Sequence, residues 1–561
     1  MAWYDEAVFY HIYPLGLTGA PKQNSYEKPV HRLNTLRPWI SHIHDLGCNA
    51  LYIGPLFESV GHGYETTDYK KLDSRLGTNE DLSAFVKECH NQSIRVILDG
   101  VFNHTGRDFF AFKDIQENRE HSRYRDWYCN VNFYGNNEYN DGFSYENWGG
   151  YNLLVKLNQR NPEVKDYICD VIRFWVSEFD IDGIRLDAAD VLDFDFMKAL
   201  RHTANEVKPD FWLMGEVIHG DYTRWVNEGT LHSVTNYHLH KALYSGHNDH
   251  NYFEIAHTVK RLYEMGGNRP DGLKLYNFVD NHDVERIYTK LNNKAHFTPV
   301  HVLLYTLPGI PSIYYGSEFG IEGKKEYGSD DSLRPQLNLD DYKDALTSNP
   351  CTALIAALGK VRTSVPALSY GDYQQRTLTN RQYAFTRSWN GCTVAITVNN
   401  DDNEAGFSVP VDSSETYLGT LTGAKIQPEN GQIHVTIKGN FGEIWVPESA
   451  VGKTHPTVLI EKKPKPVPPQ KTIVEEKPVS PKKSMIESKP IIEEIAEKEA
   501  KPVTKKVLDL NKPYEEMSVE ELQSAILEKL AKNGPVTDQM RKDVAENIYP
   551  DSLLNWVKSF R

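Results

Sequence analysis

Two rhythms of apolar and polar positions run through the first two thirds of the chain. Short apolar runs, AVFYHIY at 7–13 and NALYIGPLF at 49–57, read as strands, and between them apolar residues recur at helical spacing from Leu33 to Leu46 and stop at Gly47. Strand, helix, strand is the repeating unit of a parallel barrel. Four later runs extend it: IRVILDGVFNHTG (94–106), IDGIRLDAADV (181–191), FWLMGEV (211–217) and KLYNFVDNHD (274–283), with GIPSIYYGSEFG (309–320) supplying an eighth strand and the loop after it. In the second of these, apolar Ile184 and Leu186 alternate with Arg185 and Asp187, so a period-two strand presents an arginine and a carboxylate at its carboxyl end. The other three finish in Asp99, Asn103 and His104, in Glu216, and in Asp280, Asn281, His282 and Asp283. The carboxyl ends of the strands are where a closed parallel barrel assembles chemistry. Four polar-tipped strands therefore argue for one site.

The rhythm breaks twice. Between His104 and Leu157 lies a polar, aromatic stretch too long for a strand-to-helix connection, so it is either functional or a small subdomain. From about Tyr370, runs such as YAFTRSW, TVAITVN, IHVTIKG and GEIWVP are short and alternating, the pattern of an antiparallel β-sandwich. Beyond it, Lys, Glu and Pro dominate with few residues to bury, which reads as a disordered or extended linker. A capping box at Ser518 and Glu521 then opens a helix carrying Leu522, Ile526 and Leu530, and a second helical segment carries Val544, Ile548, Leu554 and Trp556. The expected α/β architecture is a (β/α)8 TIM barrel over residues 1–103 and 158–366 with an inserted subdomain after the third strand at 104–157. A C-terminal antiparallel β-sandwich at 367–450, a disordered linker at 451–510 and a small helical domain at 511–561 follow it. The first strand starts so early that no separate module is expected before the barrel. Docking on a protein partner, self-association and simple appendage are all open for residues 511–561.

Composition narrows the function. With 561 residues, 40% of them hydrophobic, the chain can bury a large core, and its net charge of −15 argues against a nucleic-acid partner, which needs clustered basic surface. No basic-then-apolar leader opens the chain, and no run approaches the roughly 20 apolar residues of a membrane span, so no membrane association is expected. Six cysteines, at 48, 89, 129, 169, 351 and 392, lack pairing or metal-type spacing, which fits a reduced, cytoplasmic enzyme. An Asp beside an Arg stays ionised, so Asp187 is a candidate nucleophile, although Arg-x-Asp taken alone is more often a structural ion pair. A metal-ligand reading of Asp99, His104, Asp187, Glu216, His282 and Asp283 is weakened by the absence of a His-x-His pair on the first strand.

The four polar-tipped strands, in this order, resemble the four short motifs of the α-amylase family of retaining glycoside hydrolases and transglycosylases, over a stretch from about Trp3 to Pro447. The resemblance implies Asp187 as nucleophile held ionised by Arg185, Glu216 as protonated acid and then base, and Asp283 as transition-state stabiliser, acting with retention. His104 and His282 would bond the same sugar and Asp99 would steady the site. GHGYETTDY (61–69) resembles the loop whose His62 and Tyr64 contact the sugar at the cleavage point, and Arg334 matches an arginine at the cleft mouth. In the inserted stretch, Trp127, Tyr145 and Trp148 are candidate platforms for sugar rings. LVKLNQRNPEV (154–164), with Lys156 where many members have an acid, resembles the neopullulanase, cyclomaltodextrinase and maltogenic amylase branch. Asp190 and Val191 stand where many α-amylases have a lysine and a histidine, which counts against long-starch cleavage and against the usual calcium ion, for which Asn103 remains a candidate ligand. No cofactor is required by this chemistry. The expected substrate is an α-glucan oligosaccharide, a maltooligosaccharide, cyclodextrin or starch fragment, cleaved at α-1,4 bonds, with α-1,6 bonds as a further candidate. A glucan transferase or a trehalose- or sucrose-handling enzyme on the same scaffold, and a silent amylase-like scaffold subunit, are the alternatives.

Overall fold

In the computed structural model, residues 2–266, 273–326, 329–451, 518–533 and 544 are described. Eight parallel strands form the barrel: β1 (Phe9–Ile12), β2 (Ala50–Ile53), β3 (Arg95–Gly100), β4 (Gly183–Leu186), β5 (Trp212–Gly215), β6 (Ser233–Val234), β7 (Tyr276–Asn277) and β8 (Ile310–Tyr314). Their hydrogen-bonded order is β6-β5-β4-β3-β2-β1-β8-β7, and a parallel bridge from Thr235 to Tyr276 closes the ring between β6 and β7. β6 and β7 are two-residue pieces, which is why the apolar runs there extend well beyond the ladder.

Helices cover the outside because their ends are capped where the sequence turns. Thr78 and Asp81 form a capping box before the helix Asn79–Asn91, and Asn161 accepts from the Glu163 N–H ahead of Pro162 at the first turn of Pro162–Phe179. That helix buries Val164, Ile168, Val171, Ile172, Trp175 and Phe179, one apolar stripe, and stops at Asp180 in the left-handed region. Outward-facing strand residues such as Val8, Tyr10, Leu51, Ile53, Leu98, Ile184 and Leu213 meet these helices in one layer of core, while Phe9, Ala50, Tyr52, Ile97, Trp212, Met214, Tyr276, Phe278 and Ile310 fill the barrel itself. Phe9 stacks on Trp212 at 5.1 Å, and a side chain at Gly183 would come within 2.5 Å of the Trp212 carbonyl, so the ring that fills the floor is matched by a glycine on the neighbouring strand.

The inserted stretch is a subdomain with its own three-stranded sheet, in which Tyr151–Lys156 pairs with His104–Thr105 and with Asn147–Trp148. Two of its expected sugar platforms are corrected by packing. Trp127 is buried among Phe110, Tyr124 and Tyr167 and donates to Glu163 at 2.9 Å, and Tyr145 is buried against Phe112 and Phe143, its hydroxyl donating to the Asn152 carbonyl. Both hold the insert together.

Residues 372–447 form antiparallel strands β9 (Asp372–Leu378), β10 (Gln382–Trp389), β11 (Cys392–Asn399), β12 (Ala405–Pro410), β13 (Tyr417–Gly419), β14 (Lys425–Ile426), β15 (Gln432–Ile437) and β16 (Phe441–Pro447). One sheet runs β9-β10-β11-β16-β13-β14, and β12 with β15 makes the second. β12 and β15 alternate buried and exposed residues, but β11 is buried along nearly its whole length, and Arg387 of β10 reaches the Thr306 carbonyl at 2.7 Å at the end of the barrel helix Phe297–Thr306. In a unit of its own, the helix Val519–Asn533 shows the capping box, with Ser518 N–H on Glu521 at 2.8 Å and the return bond at 3.3 Å, and buries Leu522, Ala525 and Ile526. The expected linker, but for Val451, and the second helical segment, but for Val544, lie outside the described residues. Among the described residues no helix is long and apolar enough to cross a membrane.

Candidate active site

Strand parity builds the site. Residues that point into the barrel are apolar on the floor and polar one step further on: Phe9 then His11, Ala50 then Tyr52, Ile97 then Asp99, Gly183 then Arg185 and Asp187, Trp212 and Met214 then Glu216. Parallel register sets Asp99 directly beside Arg185, and Arg185 beside Met214.

Arg185 is the hub. Its Nη1 donates to Asp99 at 2.9 Å and to Asp187 at 2.8 Å, and its Nη2 reaches Glu216 at 2.9 Å, all four side chains being buried or nearly so. Although burial opposes it, Asp99 and Glu216 hold the guanidinium charged. Burial pushes the Asp187 carboxyl up, Arg185 pulls it down, and the facing Glu216 pushes it up again, with a net rise. Three acids against one guanidinium leave surplus negative charge, which is why the Asp187 carboxyl rises although Arg185 opposes it. Glu216 also accepts from the Ala188 N–H at 3.2 Å and from the Tyr237 hydroxyl at 3.3 Å. Ala188 sits at φ 46°, a left-handed conformation costly for a non-glycine residue, and the turn it makes aims that N–H at the second carboxyl.

A second chain of contacts runs around the other side. Tyr52 and Tyr64 donate to Asp99 at 2.8 and 3.2 Å, Tyr64 meets His282 at 2.5 Å, His282 meets Asp283 at 3.0 Å, and Arg334 holds the other Asp283 oxygen at 2.8 Å. Against the burial that would raise it, His282 and Arg334 hold the Asp283 carboxyl well below the usual carboxylate range. Asp99, Arg185, Asp187, Glu216, Tyr64, His282, Asp283 and Arg334 are thus one connected group. His62 lies at the rim, half exposed and paired with Glu65 at 3.2 Å, and His104 lies beneath, fully buried, its Nδ1 on Asn103 at 3.2 Å and burial lowering it to about 3. Asp280 points away: it accepts from Ser317 and from the Ile287 N–H and is structural.

Asn103 is the one residue expected to bind a metal, and both polar atoms of its side chain face protein partners. Its amide is engaged with Gln159 at 3.2 Å and with His104, and among the described residues no group of three His, Cys, Asp or Glu side chains is placed to hold a metal ion, whereas calcium takes 6–8 oxygens. Lys156 is ion-paired to Glu146 within the insert.

Four aromatic residues of this group escaped the sequence reading. Tyr52 shares the parity of Ala50, a usable signal. His11 shares that of Phe9 and lies flat on Tyr52 at 4.1 Å. Tyr13 lies parallel to His282 at 5.9 Å under the Arg334 guanidinium at 4.7 Å. Tyr237 opens the helix after β6, a strand too short to read, so nothing in the sequence marks it.

Three buried or nearly buried carboxyls on one guanidinium and a fourth acid opposite, at the carboxyl end of a barrel, define a glycosidase. Residues 33–351 match the α-amylase catalytic domain. The chain belongs to the α-amylase family. It is 30% identical over 431 residues to a cyclomaltodextrinase from Bacillus sp (71% of this chain, 74% of that one) and 29% identical over 468 residues to neopullulanase 2 of Thermoactinomyces vulgaris (79% and 78%). The native debranching enzyme of Nostoc punctiforme superposes with a TM-score of 0.68 at 27% identity, covering 79% of this chain and 98% of that structure.

Proposed function

We propose that this glycoside hydrolase cleaves α-1,4 and α-1,6 glucosidic bonds of maltooligosaccharides and cyclodextrins with retention, through Asp187 as nucleophile, Glu216 as acid and base, and Asp283 as the acid that stabilises the charged ring. The observation that carries this is the shared guanidinium. It fits the shorter carboxyl spacing, about 5 Å, of double displacement, rather than the roughly 6.5–9.5 Å that leaves room for a water. In the first step Asp187 attacks the anomeric carbon while the Glu216 proton passes to the leaving oxygen; in the second, Glu216 takes a proton from water, which displaces Asp187. Asp283, kept ionised by Arg334 and His282, faces the oxocarbenium-like charge, and Tyr64, His282, His62 and Arg334 bind the hydroxyls around it. His104, neutral at every working pH, positions this wall from below. The bond and substrate preference is supported by the names of the two relatives, and six unpaired cysteines support a reducing compartment, the cytoplasm.

A time course on maltoheptaose, β-cyclodextrin, pullulan and soluble starch, with the anomeric form of the first product read by NMR, tests the proposal. Rapid ring opening with an α-anomeric product is expected. A β-anomeric product would overturn the two-step mechanism, and starch cleaved faster than cyclodextrin would overturn the substrate preference.

A further inference from the structure

The inserted subdomain ends in a feature that its own packing does not use. The strand Tyr151–Lys156 starts opposite His104, at Lys156, and runs out to a hairpin whose two-residue turn, Gly149 and Gly150, has φ of 62° and 82°. Two positive φ values make the tight turn that suits a twisted hairpin, and glycine accepts them without strain. Up to the last pair the stalk is bolted: Tyr145 donates to the Asn152 carbonyl at 2.8 Å, and the Asn147 amide donates to Asn152 Oδ1 at 2.8 Å. The pair beyond those bolts is Trp148 opposite Tyr151. Trp148 is 36% exposed and Tyr151 68%, and among the described residues neither ring stacks on another nor makes a side-chain hydrogen bond. Tyr128, Phe143 and Tyr145 of the insert, by contrast, are buried.

A Trp and a Tyr held side by side at the end of a rigid hairpin cost solubility unless something flat covers them. Tyr151 is five residue steps from Lys156, so the pair stands about 16 Å along the strand from His104, at roughly 3.3 Å per residue. We propose that Trp148 and Tyr151 form a remote binding platform for the same α-glucan chain that enters the site, gripping sugar rings several units from the bond that breaks. The occupant follows from continuity with the wall of the site through a single strand, and from chemistry: flat aromatic faces for the apolar faces of sugar rings, with the amides of Asn147 and Asn152 at their edge for hydroxyls. This rests on the glucosidase reading above and adds to it a preference for chain length.

The test is the doubly substituted full-length enzyme, Trp148→Ala with Tyr151→Ala, assayed on maltotriose and on maltoheptaose, with its sedimentation compared to that of the parent. A remote platform predicts that KM for maltoheptaose rises about fivefold or more while kcat and the maltotriose constants stay within about twofold. Equal losses on both substrates, or no loss on either, would overturn the platform, as would a change in oligomeric state, which would make the pair a contact between copies. Trp148→Phe should restore most of the maltoheptaose KM. If the parent hydrolyses neither oligosaccharide, the glucosidase reading fails instead, and that outcome is separate from all of these.

Discussion

Two buried ionic groups sit on opposite sides of the barrel wall, and they are built on opposite terms. On the inside, Arg185 alone faces Asp99, Asp187 and Glu216. On the outside, behind β8, the charges are shared out: Glu318 accepts from Tyr10 at 2.6 Å and from His42 at 2.9 Å, Asp280 accepts from Ser317 and the Ile287 N–H, and Arg286 donates to the Tyr315 and Leu333 carbonyls while lying on the Tyr314 ring at 4.1 Å. Only Glu318 Oε2 and Arg286 Nε lack a partner there. The outer group sets two acids beside one guanidinium, gives each acid hydroxyl, imidazole or backbone donors, and welds the loop after β8 to the barrel. The inner one sets three acids against a single guanidinium, a costly arrangement in a buried place and one that raises the Asp187 carboxyl. Imbalance, more than burial, separates the working charges from the structural ones.

The largest expected effect breaks the inner group. Glu216→Gln should lower kcat on maltoheptaose by roughly 10²–10⁴-fold and Asp187→Asn by on the order of 10⁴-fold or more, with circular dichroism unchanged. Azide should rescue Asp187→Ala with formation of a β-glycosyl azide. Activity that survives either change would remove the mechanism.

The comparison sharpens when each arginine is removed in turn. Arg185→Met and Arg286→Met should each cost about 3–5 kcal/mol in urea unfolding, because each leaves buried polar partners uncompensated. Turnover should separate them. Arg185→Met should be inactive even where it is folded, while folded Arg286→Met should keep kcat within about threefold of the parent. A dead but folded Arg286→Met would mean that the two groups are coupled through the barrel wall.

A smaller effect has the opposite sign. A carboxyl raised in the folded state is no burden below its unfolded value and costs stability as pH rises through the raised one, so ionised Asp187 weakens the fold at neutral pH. Asp187→Asn should therefore raise the melting temperature at pH 7 by a few degrees, about 1 kcal/mol, and the gain should shrink toward pH 4. Asp283 behaves in reverse: its lowered carboxyl supplies stability that is full above the usual carboxylate range and declines as pH falls below it, so Asp283→Asn should destabilise most at pH 7 and progressively less toward pH 2.

The inner group was far more legible in the sequence than its surroundings. Asp99, Arg185, Asp187 and Glu216 announce themselves because a charge interrupts an apolar strand, and parity then fixes the direction of each. Tyrosines give no such contrast: Tyr52 and Tyr237 read as core whether they line a site or fill a gap. The same ambiguity ran the other way in the insert, where Trp127 and Tyr145 proved to be internal packing. β6 was invisible because a two-residue ladder has no period to detect, and with it went the position of Tyr237. Asp280 and Asp283 lie three residues apart in one motif and face different sides of the wall, a distinction only the bend after β7 creates.

Asp190 allows the finest adjustment of the imbalance. It stands at the rim after β4, exposed as a residue yet with its carboxyl crowded enough that burial, and then Glu216, raise it to about 6. Around neutral pH it therefore adds a further negative charge beside Glu216. A neighbouring negative charge resists loss of the proton from a general acid, and so extends the alkaline limb of the pH profile. Asp190→Asn removes the charge and keeps the shape, so the alkaline limb of kcat/KM should move to lower pH by less than about one unit while the acid limb stays in place. If the limb stays fixed and only KM changes, Asp190 touches sugar without feeling the pair. If it moves upward, the sign of the coupling between Asp190 and the general acid is wrong.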